Sequence, residues 1–112
     1  MVFNHPIGVR FPVGPPELKM PYFVYLISSA KNSKLTTYVG YTNNLKKRLN
    51  LHNNGKGAKF TRGRHWKVIY AEKYATKSEA ISREYYIKKN RQFRNLVKSR
   101  FYEKTNSYTS AL

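Results

Sequence analysis

At 112 residues the chain holds one domain with a single modest core. Its 22 Lys+Arg against 5 acidic residues give a formal net charge of +17, a field that attracts polyanions, nucleic acid above all. There is no Asp and no Cys, and the five acids (Glu17, Glu72, Glu79, Glu84, Glu103) include no adjacent pair; this excludes a two-metal carboxylate cluster, structural zinc and disulfides.

All five prolines fall within the first 21 residues, with Gly8 and Gly14. Residues 1–20 therefore read as an extended, loosely packed leader. Residues 22–29 form a strand that is apolar on both faces, the pattern of a central, covered position. Ala30–Lys34 is a polar turn and residues 35–41 a second strand, which together predict a hairpin. Thr42 or Asn43 caps a helix running to about Asn54, and Gly55 stops it. A basic, glycine-rich loop, GKGAKFTRGR, leads to a third strand over residues 66–73, WKVIYAEK. Thr76-Lys77-Ser78-Glu79 is a capping box that opens a helix through Lys89. Residues 91–104 give a last amphipathic helix with Phe93, Leu96, Val97 and Phe101 on one stripe. The polar tail, 105–112, is expected to fray. The fold class is α+β, a small three-stranded antiparallel sheet flanked by helices in the order β-β-α-β-α-α, within a domain spanning 21–104. No apolar run reaches membrane-spanning length and no signal-peptide pattern is present, so a cytoplasmic protein without a membrane partner is expected.

The informative residues are polar ones on apolar faces. Leu45 and Leu49 define the buried stripe of the first helix; at 100° per residue His52 falls about 20° from Leu45 and Arg48 about 60°. Both therefore point toward the sheet, one turn apart, while Lys46 and Lys47 point away. Taken alone, this pair is also what a snorkelling arginine and a hydrogen-bonded boundary histidine would give. In the next helix Ala80, Ile81, Tyr85 and Ile87 span an apolar arc that contains Glu84. A carboxylate there needs a cation, and Lys88, one turn on, is the structural candidate. Tyr25 sits mid-strand, where its hydroxyl requires a partner. Tyr38 has Gly40 two residues on, which opens room beside its own hydroxyl.

These residues resemble the GIY-YIG nuclease superfamily, in particular its small stand-alone bacterial members. Phe23-Val24-Tyr25 stands where that family has GIY, and Tyr38-Val39-Gly40 matches YIG. Arg48 follows at the family's spacing, His52 takes a position filled by His or Tyr, and Glu84 in SREYYIKK matches the metal-binding glutamate. The likeness covers roughly residues 21–100. Phe23-Val24 departs from Gly-Ile, a matter of packing. Asn95, the candidate by spacing for an asparagine many members carry, falls on the polar side of the last helix and is given no role.

The resemblance implies the GIY-YIG nuclease fold and hydrolysis of DNA phosphodiester bonds with one divalent ion, Mg2+ or Mn2+, held by Glu84. A single carboxylate suffices when waters and the phosphate complete the shell. Arg48 would donate to phosphate oxygens. Tyr38 is the preferred base and Tyr25 its partner, with His52 relaying the proton or orienting the phenol. A phenol titrates near pH 10, so positive charge from Arg48 and His52 would have to assist. Lys46, Lys47, Lys56, Lys59, Arg62, Arg64, Lys88 and Lys89 are candidate DNA contacts around this centre. None resembles a base-reading module, so structure-dependent or weakly specific cleavage in DNA repair or recombination is expected, without a small-molecule cofactor. The competing readings are a non-catalytic nucleic-acid binder of the same fold and a ribosome-associated protein.

Overall fold

A computed structural model describes residues 9–10, 20–31 and 34–110, with side chains over 20–31 and 34–103. Val9–Arg10 forms β1, Tyr22–Lys31 β2, Lys34–Thr42 β3, Leu45–Asn53 α1, Lys67–Tyr74 β4, Lys77–Lys89 α2 and Arg91–Ser110 α3. β2 pairs antiparallel with both β3 and β4, and β1 adds two parallel pairings outside β4, giving the sheet order β1-β4-β2-β3. The antiparallel β-β-α-β-α-α core is the expected one. β1 lies in the stretch read as an extended leader, whose other residues before Met20 lie outside those described.

Central placement explains the doubly apolar β2. Val24 and Leu26 join Val39, Ile69, Tyr70, Ala80, Ile87 and Val97 in a core beneath α2 and α3. Tyr25 and Ile27 point the other way, to Trp66, Tyr38, Leu45 and Leu49 beside α1. A bulge opposite Leu26 and Ile27 lets Ile69 and Tyr70, neighbours in sequence, enter the same core. The two faces thus carry separate apolar clusters.

Several local expectations change. The hairpin pairs out to Lys31 and Lys34, so its connection is shorter than the Ala30–Lys34 turn. Asn44, not Thr42 or Asn43, is the N-cap of α1, accepting from Lys47 N at 3.1 Å; Thr42 instead binds the Asn44 backbone. Gly55 has a φ of +75°, which suits its role as the stop. The Thr76–Glu79 capping box forms as expected. Ile81 and Tyr85 are exposed, so the inward face of α2 is not the apolar arc expected but a mixture of Ala80, Arg83, Glu84 and Ile87. Leu96 is also exposed, leaving Phe93, Val97 and Phe101 as the packing stripe. The α3 backbone continues to Ser110 rather than stopping at Lys104.

Candidate active site

His52 is fully buried at the end of α1 because Leu45 and Leu49 turn that helix face onto the sheet. Its ring is held on both sides. Nε2 lies 2.8 Å from the Tyr25 hydroxyl, and Nδ1 lies 2.9 Å from Oγ1 of Thr61. The Tyr38 ring stands edge-on to the imidazole at 5.2 Å and stacks on Phe60 at 6.1 Å.

Two glycines make this arrangement possible. A Cβ on Gly40 would collide with the Tyr25 hydroxyl and lie 2.6 Å from Cζ. The room expected beside Tyr38 therefore serves the cross-strand neighbour Tyr25, which pairs with Gly40 in register. A Cβ on Gly57 would come within 2.6 Å of His52 Nδ1. Thr61 sits on a 3₁₀ turn, Lys59–Thr61, anchored by Trp66, whose Nε1 donates to Thr61 O at 2.8 Å. Asn53 clasps the Trp66 backbone from α1. The loop is thus tied to the helix that carries the histidine.

Electrostatics set the protonation states. Burial pushes the Tyr25 phenol up to about 12, against the Arg48 guanidinium, which draws it down; the phenol of Tyr38 and the carboxylate of Glu84 add to the rise. Burial, with Arg48 beside it, holds His52 below the usual imidazole range. His52 is therefore neutral near pH 7 and supplies no positive charge to a phenol, contrary to the expectation above. Arg48 is half-buried, and its Nε is a fully buried donor with no acceptor among the described residues.

Glu84 approaches from α2, close enough for its charge to act on Tyr25. Its side chain is 16% exposed, and Lys88 Nζ lies 3.3 Å from one carboxylate oxygen. That ion pair is the structural partner anticipated from the sequence. Among the described residues no three His, Cys, Asp or Glu side chains gather, so no all-protein metal cage exists there. Glu84, which leaves one carboxylate oxygen off Lys88, is the single-carboxylate ligand that a hard ion keeping most of its water, as Mg2+ does, would take.

Of the candidate site residues, Tyr25, Tyr38, Arg48, His52 and Glu84 come together. A cleft of about 300 Å³ over the β3 edge is lined by Thr37, Tyr38, Val39, Phe60, Lys88 and Arg94. Of the basic candidates, Lys88 alone lines it. Lys56, Lys59 and Arg62 are exposed on the loop, and Arg64 reaches Thr36 at 3.4 Å. Lys46 and Lys47 are exposed on the outer face of α1, and Lys89 lies over the Tyr85 ring. Asn95 is exposed on α3.

Sequence reasoning missed Thr61, Gly57, Phe60 and Arg94. Arg94 closes the C-terminal end of α2 by donating to the Ile87 and Lys88 carbonyls, which places its charge at the cleft. Only the unusual burial demanded of His52 hinted that a hydroxyl in the following loop must satisfy it.

The GIY-YIG catalytic domain model matches residues 21–98, which carry every element of this site. The chain belongs to the GIY-YIG family. Its domain is thus of a nuclease family. Similar bacterial proteins are the UPF0213 protein of Oceanobacillus iheyensis, 45% identical over 83 residues (73% of this chain, 93% of the relative), and that of Clostridium perfringens, 53% identical over 68 residues (60% and 70%). The solution NMR structure of the UPF0213 protein BH0048 from Bacillus halodurans aligns at 34% identity, covering 71% of this chain and 84% of that one, with a TM-score of 0.41. Among the described residues, no helix is long and apolar enough to cross a membrane.

Proposed function

We propose that this GIY-YIG chain is a divalent-metal-dependent endonuclease that hydrolyses DNA phosphodiester bonds. The observation that carries this reading is the buried Arg48 Nε–H without an acceptor, set beside a phenol hydrogen-bonded to a neutral imidazole. A buried donor left unpaired costs about 1–3 kcal/mol, and a non-bridging phosphate oxygen would supply the missing acceptor in a geometry suited to a guanidinium.

Tyr25 is the phenol with somewhere to send a proton. Its high pKa keeps the O–H intact at neutral pH, so the hydrogen bond to His52 exists before substrate arrives. As Tyr25 oxygen takes a proton from the attacking water, its own proton passes to His52 Nε2. The hydroxide oxygen forms the new bond to phosphorus, the bond to the leaving nucleotide oxygen breaks, and solvent protonates that oxygen. Arg48 holds the non-bridging oxygens throughout. Tyr38, preferred as base on sequence, has no hydrogen-bonded acceptor among the described residues; it packs the imidazole and orients substrate at the cleft. Glu84 would hold the ion, Mg2+ or Mn2+, which when bound would neutralise charge developing on the phosphate.

Lys56, Lys59, Arg62 and Arg64 from the loop, with Lys88 and Arg94 opposite, grip the DNA backbone; Lys46, Lys47 and Lys89 extend the basic field outward. Such contacts position DNA without reading it, so cleavage is structure-dependent or weakly specific, as repair or recombination requires. The test is a panel of flaps, nicked duplexes, junctions and single strands with Mg2+ or Mn2+, beside Glu84→Ala. Metal-dependent products from the native chain alone support the reading. Equal inertness of both proteins, with DNA still bound, reduces it to a non-catalytic binder.

A further inference from the structure

A neutral imidazole carries one proton, and only one of its two placements lets Tyr25 pass a proton on. If Nε2 holds the hydrogen, it donates to the phenol oxygen and the route is blocked. The surroundings of Thr61 decide between them. Oγ1 of Thr61 lies 2.8 Å from the carbonyl oxygen of Ala58, which can only accept. The hydroxyl hydrogen must therefore lie on that line, since otherwise two oxygens would face each other lone pair to lone pair. With its hydrogen committed, Oγ1 can only accept from His52 Nδ1, 2.9 Å away.

From this geometry we infer that Thr61 is a positioning residue, fixing His52 as the Nδ1–H tautomer so that Nε2 stays open to the Tyr25 proton. The assignment deepens the endonuclease reading and rests on it for its catalytic consequence. Other contacts hold Thr61 in place independently of the histidine. Its backbone N–H donates to Ala58 O at 3.0 Å and its carbonyl accepts from Trp66 Nε1 at 2.8 Å. The residue is wholly buried, so no water competes for Nδ1. Gly57 leaves the space in which the imidazole meets the hydroxyl. The proton chain therefore runs in one direction, from phenol to imidazole to hydroxyl to carbonyl, and ends on a group that cannot send it back.

Thr61→Val keeps the shape and every backbone bond but removes the acceptor, whereas Thr61→Ser keeps the hydroxyl. Long-range 1H–15N correlation spectra of the imidazole read the tautomer directly, and the Trp66 indole resonance reports whether the loop is folded. The native chain and Thr61→Ser should show protonated Nδ1 and bare Nε2; Thr61→Val should move population to Nε2–H. In single-substrate kinetics Thr61→Val should lower kcat on the order of 10- to 100-fold with KM within about twofold, and Thr61→Ser should restore it to within about threefold. A native spectrum with Nε2 protonated overturns the assignment. So does a folded Thr61→Val with unchanged tautomer and kcat, or a folded Thr61→Ser as impaired as the valine. If the native chain cuts no DNA, the endonuclease reading falls, while the spectra still decide what Thr61 does.

Discussion

Two arginine–tyrosine clusters occupy opposite faces of this sheet, and their difference separates structure from function. Beneath α2, Arg83 makes a bidentate pair with the buried carboxylate of Glu72, at 2.8 and 3.0 Å, while Tyr70 and Tyr74 donate to the same oxygens. Arg83 is further enclosed by the rings of Tyr86 and Phe93, at 4.9 and 5.3 Å. Beneath α1, Arg48 lies among Tyr25, Tyr38 and His52, with Glu84 reaching toward Tyr25 from α2 but paired to Lys88. The first arginine has its anion built in. The second leaves its Nε–H unaccepted among the described residues.

The sharpest way to break this contrast is Glu72→Ala. Removing one partner of a buried pair leaves Arg83 uncompensated, and about 3–5 kcal/mol of stability should be lost in urea unfolding. Arg48→Ala should do the reverse, leaving the unfolding midpoint almost unchanged while cleavage falls on the order of 10²- to 10³-fold. If Arg48→Ala destabilises as strongly as Glu72→Ala, both clusters are structural and the contrast is lost.

Gly40→Ala should have an intermediate effect. Its methyl would displace the Tyr25 ring from His52, costing about 1–3 kcal/mol by overpacking. Cleavage should fall with it, whereas an alanine that leaves activity intact would remove Tyr25 from the proton route.

Acid titration gives the finest separation. His52 and Glu72 are both held below their ordinary values of 6.5 and 4.5. The unfolded chain therefore binds these protons more readily, and each group's contribution to stability is complete above its unfolded value and lost as pH falls through the folded one. For His52 the groups facing it are the Tyr25 phenol, pushed up to about 12, the Tyr38 ring, the Thr61 hydroxyl and Arg48, whose charge opposes the imidazolium. Stability should thus begin to decline just below pH 6.5, and again below 4.5. His52→Gln should abolish the first decline and keep the second, as followed by urea unfolding across pH. Cleavage by the native chain should likewise rise with pH as His52 loses its proton, then level off.

Periodicity exposed one cluster and hid the other. Leu45 and Leu49 sit on a short amphipathic helix, so the inward aim of Arg48 and His52 followed from angle alone. Glu84 was legible because it broke an apolar arc, even though Ile81 and Tyr85 proved exposed and that arc was partly illusory. Glu72 and Arg83 escaped notice because each looks like an ordinary surface charge in its own element. Their mutual neutralisation appears only when β4 and α2 are brought together. Gly40 was read correctly as space but assigned to the wrong tyrosine, since the ring that fills it comes from the adjacent strand and register is a tertiary fact. Thr61 lay in a loop without periodicity, where nothing marks one hydroxyl above its neighbours.

Gly40 and Gly57 stand on different segments yet guard a single phenol–imidazole contact, each by what it lacks. Any bulkier residue at either place would push the pair apart, so a related chain that keeps both hydrogens retains the option of this contact, and one that loses either has abandoned it. Two one-letter symbols in an alignment thereby become a test for the intact dyad, readable before any coordinates exist.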